Sequence, residues 1–379
     1  LAPMQSVTLD WLSIAVLLGA AQGFFLTGVL ATQRRNRVAN RLLAVAVFVF
    51  SIQMISVVYH AVEFERVFPH FFGVGYPMAF LYGPHIYLYS VCASDRVRRL
   101  RRWDALQYLP FILVVLIGMP IYVMSGAEKI EFYHRLQQGL RPPFVVVADS
   151  LKYVSGICYT VATILLLRRH RVQVKESYSS TERVNLNWLL QLAAAGAVIW
   201  TVASLFHIAE FLSLPISQSQ DDVVALAIAV LVYGIGYRAL RQPEVFNVAT
   251  GEFPIVAPQE TSARVLSPGF ATAVTTQPPV APPRYERSGL TEGEGTLLKD
   301  ALLSAMEQQK LYKSSELTLP DLAEKLDTTP HKLSEVMNSQ LGQNFYDFVN
   351  GYRVREVQER LADDKSHALT LLSLALDAG

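Results

Sequence analysis

The chain has 379 residues, a length too great for one ordinary hydrophobic core, and its composition is 51% hydrophobic and 17% charged. Its two cysteines, Cys92 and Cys158, both fall inside apolar runs and lack metal-ligand spacing, which excludes a disulfide framework and reads both as core residues. The formal net charge of +1 excludes little, because apolar runs fill residues 9–240 and an ordinary polar and apolar mixture fills 290–379.

A bilayer core of about 30 Å needs about 20 apolar residues at roughly 1.5 Å each. Seven runs meet that expectation: 10–31, 41–60, 70–93, 105–124, 143–167, 188–212 and 222–240. No basic segment precedes the first run and no cleavage site follows it, so it is expected to be a retained helix. The third run is interrupted by Gly83-Pro84 and the fourth carries Pro110 near its start, breaks that neighbouring helices can satisfy. Gly19 and Gly23 on the first run, and Ala193 and Ala197 on the sixth, are small residues four apart that favour close packing, within the chain rather than between copies.

Loop charge predicts orientation. Basic residues crowd the first loop (Arg34, Arg35, Arg37, Arg41), the third (Arg96, Arg98, Arg99, Arg101, Arg102) and the fifth (Arg168, Arg169, Arg171, Lys175, Arg183), with Arg238 and Arg241 at the end of the seventh run. The alternate loops hold only Arg66, then Lys129, Arg135 and Arg141, and in the sixth none. This bias places the N-terminus outside and the C-terminal part in the cytoplasm. Trp11, Trp103 and Trp188 fall near the expected boundaries.

Polar residues within the runs are the candidates for a ligand site. Asp149 and Lys152 share a helix face three apart, as do His207 and Glu210, and both pairs fall in the outer half of the expected membrane. Gln22, Gln53 and His85 lie nearer mid-depth, and Tyr59 and His60 end the second run. Buried charge in a membrane is costly and faces a bundle interior or a wet cavity. Two readings stay open: an outward-facing ligand pocket drawn from Asp149, Lys152, His207, Glu210, His85 and Tyr59, or a structural polar network. No third ligand stands at metal spacing, no catalytic constellation is evident, and no cofactor is implied. The seventh run has no lysine for a retinal Schiff base.

Residues 242–289 contain eight prolines among Thr, Ser, Ala and Val and keep neither helical nor strand period, which predicts a tether of about 40 Å root-mean-square reach. From Leu290 helical punctuation returns. Thr291 precedes a helix near 292–309, and Thr318 with Asp321 forms a capping-box pattern before a helix over Leu319–Leu326. Asp327-Thr328-Thr329 is the turn, and a helix opened by Pro330 runs to about Leu341, ended by Gly342. Short helix, turn, second helix is helix-turn-helix geometry. A long helix over 344–362 buries Phe345, Phe348, Val349 and Tyr352, a break follows at Asp363–Ser366, and a short helix starts near Leu369.

The stretch LTLPDLAEKLDTTPHKLSEVMNSQLGQNFYDFVNGYRVREVQERLADDKSHALTLLSLALDAG resembles the DNA-binding domain of AraC/XylS-type bacterial regulators, over about 62 residues. The segments PPRYERSGL and LYGPHIYLYSVCASDRVRRLRRWDALQYLPF look, more loosely, like a membrane-anchored branch of that family. The resemblance implies two helix-turn-helix units joined by a long helix: Leu319–Leu341 as the first, Asn344–Ala362 as the joining helix and Leu369–Gly379 as the opening of the second. It implies that His331, Ser334 and Glu335 face base edges, that Lys332 adds a phosphate contact, and that Arg353 and Arg355 lie on the joining helix. The chain stops before the second recognition helix, so the native protein is expected to continue past Gly379. Residues 290–379 hold nine Lys and Arg against fifteen Asp and Glu, an acidic balance unlike a phosphate-binding surface.

The sequence thus predicts an all-α protein: a seven-helix transmembrane bundle over 1–241, a Pro-rich cytoplasmic linker over 242–289, and a helix-turn-helix DNA-binding domain over 290–379. The expected function is a non-enzymatic, one-component sensor and transcription regulator in a bacterial cytoplasmic membrane. Its expected partners are promoter DNA, membrane lipids, a small-molecule or envelope signal, and a second copy in a homodimer. The alternative is a membrane receptor or transporter whose helix-turn-helix domain binds a protein.

Overall fold

A computed structural model describes residues 9–33, 36–95, 100–181, 186–212, 214, 220–241, 290–362 and 370–379. The expected linker over 242–289 and the break at Asp363–Ser366 lie outside the described residues. Within them the chain is helical, with an isolated antiparallel bridge between Tyr178 and Thr318. It divides into two compact units, one of Leu1–Arg171 with Asn185–Thr250 and one of Val172–Val184 with Gly251–Gly379.

The first unit contains α1 (Trp11–Thr32), α2 (Arg37–Ala61), α3 (Ala79–Ser94), α4 (Leu109–Val123), α5 (Gly126–Gln137), most of α6 (Pro143–Ser177), α7 (Asn187–Phe211) and α8 (Gln220–Arg241). Five stretches among the described residues are long and apolar enough to cross a membrane: Trp11–Thr32, Arg37–Ala61, Arg102–Val123, Pro143–Ser177 and Asn187–Phe211, with a shorter apolar helix at Val223–Arg238. The third expected run differs most. Its first part is made of short 3-10 turns at Pro69–Phe71 and Tyr76–Met78, and regular α-helix begins only at Ala79. Pro69, Gly73, Gly75 and Pro77 explain the delay, because each proline removes a backbone donor and Gly73 takes a positive φ of 83°. Pro84, by contrast, sits inside α3 without ending it.

The core of this unit is built by α1, α2 and α8, with Leu30, Leu43, Val47, Met54 and Val232 buried. Gly19 and Gly23 set the approach. A Cβ on Gly19 would stand 2.9 Å from Cβ of Ala229, and one on Gly23 would collide with the Ser51 hydroxyl. The small-residue pair therefore packs within the chain, as its spacing suggested. The opposite extreme is α4, where Leu109, Ile112, Leu113, Leu116, Ile117, Met119 and Val123 are all exposed. So much uncovered apolar surface on one helix is the signature of a lipid or partner contact rather than of a water-facing helix.

The second unit contains α9 (Glu292–Glu307), α10 (Leu319–Lys325), α11 (Pro330–Val336), α12 (Phe345–Ala362) and α13 (Leu371–Asp377). Capping boxes start α9, from Thr291 and Glu294, and α10, from Thr318 and Asp321. Asp327 turns the chain with a φ of 49°, and the Thr329 hydroxyl then accepts from the Lys332 backbone N–H to start α11. A wider π turn over Met337–Leu341 extends α11, and Gly342 closes it in the left-handed conformation. Leu302, Met306, Leu322, Leu333, Phe345 and Val349 form one core.

Residues Val172–Val184 belong to this second unit rather than to the bundle. The Ser179 N–H and hydroxyl both donate to the Leu317 carbonyl, at 3.2 and 2.6 Å, and the Lys175 ammonium lies 5.3 Å from the Tyr346 ring centre.

Candidate functional site

In the first unit, α1, α2, α4, α5, α6 and α7, together with the start of α8, line a partly open cavity of about 1470 Å³. That exceeds the roughly 300–1,000 Å³ usual for small-molecule pockets. Asp149, Lys152, His207 and Glu210, which spacing had placed in two separate pairs, all line it. Arg141, just before α6, joins them: its guanidinium lies 2.5 Å from Glu210 and 3.8 Å from Asp149. Lys152 approaches Asp149 at 3.2 Å and stands over the Tyr153 and Tyr76 rings, 4.9 and 5.7 Å from their centres. The His207 ring packs against Tyr153 with centres 4.6 Å apart.

These contacts follow from helix geometry. Asp149 and Lys152 lie one turn apart near the start of α6, and His207 and Glu210 lie one turn apart near the end of α7. The two faces meet at one end of the bundle. Arg141, Tyr76 and Tyr153 are the members that sequence reasoning missed. Arg141 counted only as loop charge, and nothing in the spacing of two tyrosines 77 positions apart marks them as neighbours. The signal for Arg141 was its place beside Pro142-Pro143, which fixes the chain entering the helix that carries Asp149.

Two other candidates sit elsewhere. Tyr59 is buried and donates its hydroxyl to the Phe68 carbonyl at 2.7 Å, within a cluster of His60, Phe64 and Phe71 rings. His85 is buried, its Nδ1 2.8 Å from the Leu81 carbonyl and its ring against Tyr108. Neither lines the cavity, and each is accounted for by a local contact. Among the described residues no group of three or more His, Cys, Asp or Glu side chains converges as a metal site would require.

In the second unit, α11 holds Leu333 and Val336 in the core and turns His331 outward, with Lys332, Ser334 and Glu335 half-buried. Ser334 accepts from the Asn338 side chain at 3.3 Å. Arg355 is exposed on α12, over the Tyr352 ring at 5.3 Å. Arg353 differs from the expectation that grouped it with Arg355. It is buried, and its guanidinium donates to the carbonyls of Tyr312 (2.8 Å), Ser314 (2.6 Å) and Ser179 (3.3 Å), to the Ser179 hydroxyl (3.2 Å) and to Asn350 (3.2 Å). The reason is helical phase: position 353 continues the inward stripe of Phe345 and Val349, eight and four residues earlier. Burial lowers its proton affinity below the usual arginine range.

A second internal cluster uses three further cations. Glu356, buried, accepts from the Tyr312 hydroxyl at 2.7 Å and is approached by Arg360 at 2.9 Å and by Lys310 and Lys313 at 3.0 Å. The Tyr312 hydrogen bond and these cations hold the Glu356 carboxyl well below the usual carboxylate range. Desolvation and the same carboxylate push the Tyr312 hydroxyl up to about 12. Lys310, Lys313, Arg353 and Arg360 thus serve the domain's own structure, which sharpens the acidity seen in its sequence.

No protein-family model, curated protein or solved structure matches this chain.

Proposed function

We propose that the chain is a membrane-bound, one-component sensor and transcription regulator. Seven membrane passes receive a signal in the cavity, and an AraC/XylS-type helix-turn-helix domain binds promoter DNA on the cytoplasmic side of a bacterial inner membrane. The observation that carries this reading is the membership of α6. It bears Asp149 and Lys152 near its start, and its last residues, with Ser179 beyond them, belong to the unit that contains α10 and α11.

The topology is self-consistent. On this reading the described parts of Val172–Val184 and of 290–379, which share a unit, stand on one side of the membrane, and two crossings, by α7 and α8, return the chain to that side. The short α3 reaches about 30 Å when its leading 3-10 turn Tyr76–Met78 is counted, which suits a seventh crossing. The basic residues of the first, third and fifth loops make that side cytoplasmic.

On this reading His331, Ser334 and Glu335 of α11 face base edges, and Lys332 and Arg355 contact phosphates. The cavity binds a small-molecule or envelope signal. A ligand there shifts the domain only if it binds two arrangements of α6 with different affinity. A second reading, a receptor whose domain docks a protein, is favoured by one observation: four of the domain's cations are committed internally.

A genome-wide DNA pull-down with the full chain separates the two. The regulator reading predicts enrichment of discrete promoters, abolished when His331, Ser334 and Glu335 are changed together to alanine. Enrichment indifferent to those changes would overturn the residue assignment, and absence of any enrichment would overturn the regulator.

A further inference from the structure

We infer that the cavity of the first unit binds a cationic single-chain amphiphile, with an ammonium head at its polar end and an aliphatic tail along α4. This deepens the sensor reading and rests on the cavity being a ligand site.

Charge selects the head group. Among the described lining residues stand four carboxylates, of Asp10, Asp149, Glu210 and Asp221, against two fixed cations, Arg141 and Lys152. Both cations already face carboxylates, Arg141 with Asp149 and Glu210, and Lys152 with Asp149. An anionic head would have to compete for them, whereas a cationic one meets the excess negative charge. Lys152 shows that this environment holds an ammonium group, between a carboxylate and the faces of Tyr76 and Tyr153.

An apolar wall accommodates the tail. Leu109, Leu113 and Ile117 of α4 line the cavity four residues apart, an exposed apolar stripe over about 12 Å of wall. The polar groups gather instead where α1 begins, α2 ends, α6 begins, α7 ends and α8 begins. A polar end and an open apolar flank match a molecule that is itself so divided and reaches the site from the bilayer.

The test uses the full chain in phosphatidylcholine nanodiscs, titrated with dodecylamine by calorimetry, with empty nanodiscs subtracted and laurate and dodecyl maltoside as counterparts. Saturable binding of dodecylamine is expected, about tenfold or more tighter than of laurate. Removal of each tail CH₂ should weaken it by about fourfold. Glu210→Gln with Asp221→Asn should weaken it about tenfold, and Glu210→Asp with Asp221→Glu should retain it, which separates loss of charge from loss of fold. Laurate binding as tightly as dodecylamine, or an amine affinity unmoved by the neutral variants, would overturn the inference. A saturable laurate site lost in Lys152→Ala would overturn the cationic class yet leave the sensor reading standing. Amine binding together with no promoter enrichment would do the reverse.

Discussion

Arg353→Ala is expected to unfold the second unit locally while sparing the bundle. The guanidinium satisfies three backbone carbonyls, those of Tyr312, Ser314 and Ser179, in a site where the arginine itself is only 7% exposed. The Ser179 carbonyl keeps the Asn350 side-chain amide and the Ser314 carbonyl keeps the Leu317 N–H, so the truncation leaves the Tyr312 carbonyl without a donor, at about 1–3 kcal/mol, and takes one bond from each of the other two, at about 0.5–1.5 kcal/mol each, on the order of 2–6 kcal/mol together. A domain of this size is stable by roughly 5–15 kcal/mol, so the change removes a large share of that margin. Hydrogen exchange read by mass spectrometry on the full chain measures it directly. Amides of α12 and of residues near Ser179 should exchange about 10²–10⁴-fold faster, and those of α1 and α2 should not change. Arg353→Lys should fall between, because one ammonium cannot reproduce the forked geometry. Arg355→Ala, which removes an exposed side chain resting on Tyr352, should stay within about 0.5 kcal/mol of the parent. Protection of α12 unchanged in Arg353→Ala would refute the assignment of this arginine as the fastener of residues 172–181.

Further outcomes follow from the same packing. The Glu356 carboxyl is held below its ordinary value near 4.3, so the folded domain binds fewer protons than the unfolded chain in acid. Stability should be fully present above about pH 4.3 and fall as the pH drops below it. An acid titration followed by exchange should show this slope reduced in Glu356→Gln, and an unaltered slope would contradict the assignment. Gly19→Leu and Gly23→Leu should each cost about 1–3 kcal/mol, read as a lower melting temperature in detergent, because Ala229 and Ser51 already occupy the space. Gly28→Leu on the same helix meets nothing within 4 Å and should be tolerated. Tyr59→Phe should cost about 1 kcal/mol through loss of the bond to the Phe68 carbonyl, with no change in ligand affinity at the cavity.

What could be read from the sequence, and what could not, divides along physical lines. Capping chemistry is local, so Thr318 with Asp321, Thr329 before Pro330, and Gly342 fixed their helix ends to within about a turn. Hydropathy marks where a chain is apolar, not where a helix stops. The apolar run beginning at 143 fades near residue 167, yet α6 continues to Ser177 through Arg168–Lys175, whose Arg, Gln and Lys residues favour helix without a membrane. The same blindness hid α5, which is too polar for a hydropathy scan although Ser125 and Glu128 form a capping box at its start. In the candidate site, pairs within one helix were legible from spacing: Asp149 with Lys152, and His207 with Glu210. Their convergence with Arg141 and Tyr76 was not, because it depends on tertiary packing between elements far apart in sequence. Arg353 was misplaced for a related reason: a cation on a helix expected to meet phosphate reads as exposed, until the stripe of Phe345 and Val349 is followed one further turn.

The central claim is that one chain joins a ligand cavity to a promoter-binding domain. Its most direct test is a genome-wide transcript profile in cells carrying the full chain as wild type, as Asp149→Ala, and with His331, Ser334 and Glu335 changed to alanine, membrane levels being matched. The account predicts that the cavity variant and the recognition variant alter the same small set of promoters. A cavity variant that leaves unchanged every promoter moved by the recognition variant would contradict it.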